Sequence, residues 1–166
     1  MNNFKNKIEP VFSFLRKYQK WLLLVLLIAL ASIAFLDYYF SGYERRTFIF
    51  YNYEDGSVVL EERMLKRADS KENDLVMYAE ETLMGPINTD SLPLFPKNTR
   101  LESLMYRDNI VYLNLSEDAA IAPSEGGDVY KNLKTFDSGI RRNFPYVSDI
   151  RFFIAGNAVS TDTDPK

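Results

Sequence analysis

The stretch "ETLMGPINTDSLPLFPKNTR", residues 81–100, decides how the rest of the chain is organised. The helical pattern before it stops at Gly85-Pro86, because glycine suits a left-handed helix cap and proline blocks continuation. Two further prolines, Pro93 and Pro96, precede the next strand-like run. The stretch is a linker, a binding loop or an ordered crossover. At 166 residues the chain has room for one domain of ~100–150 residues plus extras, which favours a crossover.

Two strands and a helix are predicted before the crossover. The runs Thr47–Tyr53 and Val58–Leu65 flank Asp55-Gly56, a pair that supplies the positive φ angles of a tight hairpin turn. The first run is apolar on both faces, which indicates a strand that is covered on both sides or lies against a partner. A helix follows, with Asp69 and Glu72 spaced as in a capping box. Its apolar stripe consists of Leu75, Val76, Ala79 and Leu83.

A second hairpin, a second helix and a last strand are predicted after the crossover. Leu101–Tyr106 and Ile110–Leu115 form a second predicted hairpin around the turn Arg107–Asn109, and Ser148–Ala155 forms a last strand. Between them lies a helix that ends at Pro145. Its stripe, spaced 4, 3, 4 and 4, consists of Val129, Leu133, Phe136, Ile140 and Phe144. The sequence therefore predicts one compact α+β domain of order ββαββαβ, with two layers, a mixed sheet and two helices.

A membrane helix is predicted near the start of the chain. Residues 21–36, "WLLLVLLIALASIAFL", contain no charge and span roughly 24 Å as a helix. Tyr18 and Trp21 lie at its start and aromatic residues follow it, as at membrane interfaces. Residues 1–20 carry five basic residues and one acidic residue, so we expect a cytoplasmic N-terminus and an extracytoplasmic C-terminal domain. A cleaved signal peptide remains the alternative, since Ala29–Ala31 has the form of a cleavage site.

These patterns divide the chain into predicted segments. They are a basic cytoplasmic N-terminus at 1–20, a transmembrane helix at 21–36, a juxtamembrane spacer at 37–46, an extracytoplasmic domain at 47–156 and a disordered tail at 157–166. The total charge is −3 and residues 1–20 carry +4, which leaves −7 on the remainder. Because phosphate binding depends on clustered Lys and Arg, nucleic acid is not an expected partner.

The composition restricts the possible chemistry. There is no cysteine and no histidine, which excludes disulfides, thiolate metal sites, cysteine nucleophiles and a histidine-based serine triad. Ser103, Ser116 and Ser138 therefore have no histidine partner. A serine–lysine pair and carboxylate chemistry remain open in principle.

Four acidic or glycine-rich motifs have ordinary structural explanations. Glu61-Glu62 and Glu80-Glu81 are adjacent pairs whose side chains point in different directions, so we expect solvated faces. "DTD" at Asp162–Asp164 lacks the spacing of a calcium loop. "SEGG" at Ser124–Gly127 lacks the Lys-Ser/Thr of a phosphate loop. The sequence predicts no catalytic, cofactor-binding or metal-binding residue and no cofactor.

Tyrosines on the hairpins are the remaining candidates for function. They are Tyr51, Tyr53, Tyr106 and Tyr112. Exposed aromatic side chains suit contact with a partner protein. Ordinary packing within a sheet also explains them and is the favoured interpretation.

Several short motifs together resemble the GerMN domain family, which is named for a sporulation and spore germination protein. They are "LMGP" at 83–86, "LFPKNTRL" at 94–101, "VYLNLS" at 111–116 and "VSDIRFFIAG" at 147–156. The chain departs from the family pattern at Asn98, where glycine is common, and at Phe95, where isoleucine is usual. Asparagine tolerates the left-handed conformation, so the first change need not break the turn.

The resemblance implies a compact α/β domain similar to ring-building motifs, found in anchored envelope proteins and not known as an enzyme. We therefore expect a non-catalytic scaffold in the bacterial envelope, whose partners are the cytoplasmic membrane and envelope proteins or further copies of itself, with peptidoglycan as another candidate. An enzyme of envelope polymers that uses carboxylates is the first alternative. A divisome-type adaptor, with partners for the membrane helix and residues 1–20, is the second.

Overall fold

A computed structural model of the protein describes residues 5–40, 42–122 and 128–160. Within them the chain forms two compact units that divide between Gly42 and Tyr43. The N-terminal unit is one long helix, α1, Lys5–Phe40. In this helix the Ser32 hydroxyl donates a hydrogen bond of 2.8 Å to the Ile28 carbonyl, which satisfies a polar group on an apolar segment.

The described part of the C-terminal unit, 43–122 and 128–160, contains seven strands and two α-helices. They are β1 Tyr43–Asn52, β2 Val58–Lys66, α2 Lys71–Leu83, β3 Ser91–Leu92, β4 Leu101–Arg107, β5 Ile110–Leu115, α3 Val129–Asn143, β6 Asp149–Ile154 and β7 Asn157–Val159, with a short 3-10 helix at Glu117–Ala120. The α+β class and the predicted ββαββαβ order are confirmed. The short strands β3 and β7 and the 3-10 helix are additions.

The strands lie in two sheets. One has the order β2-β1-β3 and is antiparallel, and the other has the order β4-β5-β6-β7. The second sheet is mixed, because β5 and β6 pair in parallel while its other pairs are antiparallel. A parallel pair needs a long crossover connection, and α3 supplies it.

Two predicted boundaries differ from the structure. The predicted spacer 37–46 is largely regular, since α1 continues to Phe40 and β1 begins at Tyr43, where it pairs with Lys66. The predicted tail begins with β7, which pairs with β6 after a turn in which Ala155 and Gly156 have φ angles of 49° and 79°. Strand β1 starts at Tyr43, and strand β7 forms, because each pairs its backbone with a neighbouring strand. Composition does not reveal such pairing. Residues 161–166 lie outside the described part.

The core is rich in aromatic side chains. Phe48 and Phe50 on β1 are fully buried, and the Phe48 ring stacks on Tyr78 of α2 with 4.7 Å between ring centroids. Phe136 of α3 packs against Phe152 of β6 at 6.0 Å. Each such side chain stabilises the fold by about 1.5–3 kcal/mol relative to exposure. The core therefore joins both helices to both sheets.

The helix starts are fixed by side-chain caps. The N-cap of α2 is Ser70 and not the predicted Asp69. The Ser70 hydroxyl accepts a hydrogen bond of 3.1 Å from the Asn73 N–H. Glu72 instead accepts from the Tyr106 N–H at 2.8 Å, which ties α2 to β4.

The α3 stripe is confirmed, since Leu133, Phe136, Ile140 and Phe144 are buried and Val129 is half-buried.

Candidate interaction surface

The crossover at residues 81–100 is held to the first hairpin by Arg63. Its guanidinium donates hydrogen bonds to the Glu81 carbonyl at 3.1 Å and to the Gly85 carbonyl at 2.6 Å. It also forms an ion pair of 2.6 Å with Glu61, and its side chain is only 8% exposed. The carbonyls at the end of a helix have no partner within the helix. Arg63 therefore caps α2 from the neighbouring strand.

Backbone contacts order the rest of the crossover. The Glu61 carboxylate accepts hydrogen bonds from the Ile87 and Asn88 N–H groups at 3.0 and 3.4 Å. Gly85 has a φ angle of 85°, the left-handed conformation that ends the helix. Thr99 donates from its N–H to the Pro96 carbonyl at 2.9 Å, and Asn98 has no positive φ angle, so this turn does not require the family's glycine. The crossover is an ordered part of one domain.

The first hairpin has an exposed outer face, which is the principal candidate surface. On β2, alternate side chains point outward and are 49–61% exposed where they are apolar, namely Val58, Leu60 and Met64. Tyr43 of β1, which pairs with Lys66, is 48% exposed. We call the set Tyr43, Arg45, Val58, Leu60, Glu62, Met64 and Lys66 the hairpin outer face. Clustered exposed apolar side chains mark sites of contact with a partner or a membrane.

The inner and outer faces of β1 explain its apolar pattern. Phe48 and Phe50 point into the core, whereas Ile49 and Tyr51 are half-buried beside β2 residues Leu60 and Val58. The prediction that one face of this strand lies on a partner stays a prediction, and the exposed outer face is its basis.

The adjacent carboxylate pairs do not form an acid/base site. Glu61 points inward to Arg63, while Glu62 points outward and pairs with Arg45 at 3.1 Å. Glu81 pairs with Arg63 at 3.1 Å, and Glu80 is exposed. Each of the three paired carboxylates is therefore occupied by an arginine.

Perturbed acids and metal ligands do not converge in the described residues. Asp55 has its pKa lowered by hydrogen bonds with Ser57, which is a consequence of the hairpin turn. Among residues 5–40, 42–122 and 128–160, no group of three or more His, Cys, Asp or Glu side chains could hold a metal ion. "SEGG" at 124–127 and "DTD" at 162–164 lie outside the described residues.

The three serines have separate local roles or none. The Ser116 hydroxyl accepts from the Arg100 N–H at 3.1 Å, and Ser138 donates to the Lys134 carbonyl within α3. Ser103 is exposed on β4. An open surface depression of about 500 Å³ near Ser116 is lined by Lys97, Asn98, Arg100 and Asp118. Its lining is polar, and the Ser116 hydroxyl also donates a hydrogen bond of 3.4 Å to the Asp118 carboxylate.

Three of the four hairpin tyrosines are engaged within the domain. The Tyr51 hydroxyl bonds to Thr135 of α3, and the Tyr106 hydroxyl donates to Asn109 at 2.8 Å. Tyr112 packs under Arg151, whose guanidinium carbon lies 5.4 Å from the ring centroid. Tyr53, at the hairpin turn, is 72% exposed. Contacts within the domain thus account for Tyr51, Tyr106 and Tyr112.

The residues that sequence reasoning missed are on β2. The sequence pattern predicts a strand that contains Val58, Leu60 and Met64, and their even spacing places them on one face. Which face would be covered depends on α2, whose position is a tertiary property.

Helix α1 contains a segment, Tyr18–Tyr38, that is long and apolar enough to cross a membrane. This property rests on length and composition, and a signal sequence shares it.

No protein-family model and no curated protein matches this sequence. Solved structures do match. The tandem GerMN domains of the sporulation protein GerM from Bacillus subtilis are 14% identical, with a TM-score of 0.51 over 71% of this chain and 41% of that one. A lipoprotein candidate from Clostridium perfringens is 21% identical, with a TM-score of 0.47 over 72% of this chain and 80% of that one. The chain spans less than half of the GerM structure, and it has a GerMN-like fold.

Proposed function

We propose that this protein is a membrane-anchored interaction domain of the bacterial cell envelope that acts by protein contact and not by catalysis. The observation that carries the proposal is the hairpin outer face, where Val58, Leu60 and Met64 are about half exposed or more. An apolar surface of this kind costs free energy in water unless a partner covers it.

Three further observations support the proposal. The segment Tyr18–Tyr38 has the length and hydropathy of a single membrane span. The basic residues before it favour a cytoplasmic N-terminus, so the domain would face the extracytoplasmic side. Glu61, Glu62 and Glu81 are committed to arginine partners, which leaves them poorly placed for acid/base chemistry.

The shared fold does not support a particular pathway. The GerM structure, which shares the fold, is described as a sporulation protein. A sporulation role is not part of the proposal, because a shared fold does not transfer function.

Site-specific photocrosslinking in living cells tests the proposal. A photoreactive amino acid replaces Leu60 on the hairpin outer face or, as the control, Ile121, which is 62% exposed elsewhere. We expect discrete crosslinked species from position 60, identified by mass spectrometry as envelope proteins or further copies of this chain, and far weaker ones from position 121.

One combination of results would overturn the proposal. If both positions yield monomer alone, and the purified chain turns over a wall-derived substrate in a manner that depends on one carboxylate, the protein is an enzyme and the proposal fails.

A further inference from the structure

Among the residues that the structure describes, no strand pairs with the outer edge of β2, because β2 is the end strand in the order β2-β1-β3. The turn of the hairpin shows which backbone groups face that edge. Asn52 donates to the Ser57 carbonyl at 2.8 Å, and Gly56 donates to the Asn52 carbonyl at 3.0 Å, so Asn52 and Ser57 are a hydrogen-bonded pair. Hydrogen-bonded and non-hydrogen-bonded pairs alternate along an antiparallel ladder. The odd residues of β2 therefore bond to β1, and the even residues face outward.

The other edge of β1 confirms this alternation. By the same rule Thr47, an odd residue of β1, faces away from β2. Its N–H donates to the Asn143 side-chain oxygen at 2.8 Å, and its carbonyl accepts from the Asn143 side-chain nitrogen at 2.7 Å. One amide side chain thus occupies the edge position that a strand would otherwise fill.

The free edge combines unpaired backbone groups with a patterned row of side chains. Val58, Leu60, Glu62, Met64 and Lys66 direct their backbone groups to the edge and their side chains to the hairpin outer face. A second copy that continues the sheet must therefore place even residues opposite even residues. An exposed edge of this length is a template for pairing with another strand.

We propose that β2 pairs antiparallel with β2 of a second copy, with Met64 opposite Met64 and Glu62 opposite Lys66. Charge selects this register. Pairings centred on Glu61, Glu62 or Arg63 place like charges directly opposite one another, which is destabilising. The pairing centred on Met64 creates two Glu62–Lys66 contacts and about six backbone hydrogen bonds.

The register centred on Leu60 is also less favourable than the one centred on Met64. A pairing centred on Leu60 leaves Glu62 opposite Val58, so it gains no charge contact. In the Met64 register the inner side also gains a complementary pair, Glu61 opposite Arg67 of the second copy. The two-fold arrangement is closed, and therefore produces a dimer and not a filament.

The pairing deepens the proposed function, because it rests on the domain acting by contact and identifies one partner. Cysteine crosslinking of the full chain in native membranes tests it. The chain has no cysteine, so Met64→Cys introduces a single thiol. Opposite Cα atoms in a hydrogen-bonded pair lie about 5.5 Å apart, within disulfide range. We expect mild oxidation to give a dimer of twice 19.3 kDa.

Val58→Cys is the matched control. Val58 is 61% exposed and Met64 57%, and both lie on the same face and edge. In the proposed register Val58 lies beyond the end of β2 of the second copy, so we expect at least about fivefold less dimer from its thiol, given the geometric limits of a disulfide. Equal maleimide labelling of the two variants checks that both thiols are accessible.

A charge exchange tests the register in the Met64→Cys background. Lys66→Glu places two acids opposite each other and should reduce dimer formation, and the further change Glu62→Lys should restore it. The inference fails if Met64→Cys crosslinks no better than Val58→Cys, or if the exchange does not restore the dimer. Capture of an envelope protein from position 60 alongside such a failure would leave the proposed function standing.

Discussion

Gly139 is the residue on which the packing of the two helices depends. Glycine is buried here on α3, and a Cβ atom built at this position would clash with the Tyr78 hydroxyl oxygen of α2. That hydroxyl also donates to the Thr47 carbonyl at 3.1 Å, so it cannot move away without losing a bond. The close approach of α2 and α3 therefore requires glycine.

Gly139→Ala should destabilise the domain by about 1–3 kcal/mol, because the cost of overpacking exceeds the gain in helix propensity. Denaturant unfolding of the solubilised full chain measures the effect. Tyr78→Phe removes the clashing oxygen, so adding it to Gly139→Ala should recover part of the loss. Additive effects of the two changes would contradict the proposed contact.

Tyr146 makes a separate prediction about pH. Burial raises its pKa to about 12, and its hydroxyl has no hydrogen-bond partner in the described structure. Burial also raises the pKa of Tyr78. An unfolded tyrosine has a pKa of about 10, so above this pH the unfolded chain releases protons that the folded chain retains. The contribution of these buried, neutral tyrosines to the free energy of unfolding is therefore fully present below pH ~10 and is lost as the pH rises toward 12.

The melting temperature of the wild-type chain should accordingly fall between about pH 10 and pH 12, and Tyr146→Phe should reduce that fall. Each protein is compared with its own melting temperature at about pH 8, where the tyrosine is not ionised in either the folded or the unfolded chain. Parallel pH curves for the two proteins would show that Tyr146 does not contribute.

Strand β2 and the end of α2 form one unit at the scale of elements. Arg63 joins them through the Glu81 and Gly85 carbonyls, Glu61 and the aromatic ring of Phe48, whose centroid lies 4.6 Å from the guanidinium carbon. A planar guanidinium can serve several acceptors and an aromatic face at once, which a lysine cannot. Arg63 therefore fixes the start of the crossover to β2.

Arg63→Ala should destabilise the domain by about 2–4 kcal/mol, since it removes the cation that neutralises Glu61 and the hydrogen-bond donor to the helix carbonyls in a largely buried setting. Arg45→Ala is the matched control on the partner strand. Its ion pair with Glu62 is more than half exposed, so its loss should cost under about 1 kcal/mol. Unfolding midpoints of both variants decide the matter, and equal losses would show that the Arg63 network is not structural.

The topology of the whole molecule is testable with the same cysteine-free chain. Asn3→Cys and Val58→Cys lie on opposite sides of the apolar segment Tyr18–Tyr38. If this segment is an uncleaved anchor with a cytoplasmic N-terminus, an impermeant maleimide applied to intact cells should label position 58 and not position 3. After lysis both should label, each on a chain of full mass. A full-length chain labelled at position 3 from outside would reverse the topology.

A cleaved signal peptide has its own outcome in this experiment. The chain with cysteine at position 3 would then carry no label on the mature protein after lysis, and the chain with cysteine at position 58 would have a lower mass. That result would replace the anchor with a secreted domain while leaving its fold unchanged.

The sequence by itself determined the local features of this protein. Gly85-Pro86 ends α2 because both residues act through their own backbones, and the apolar spacing of α3 follows from helix geometry alone. The same holds for the turn at Asp108-Asn109, where both residues adopt positive φ angles. The order of strands and helices and the apolar segment of α1 were therefore predictable.

The tertiary structure decided everything that depends on distant residues. Asn143 pairs with Thr47 from 96 positions away, Arg63 caps a helix 18 to 22 positions later, and β7 forms only because β6 offers it an edge. The division into two sheets, and hence the free edge of β2, belongs to the same class. Such contacts depend on how elements meet in space, and local propensity and periodicity do not contain that information.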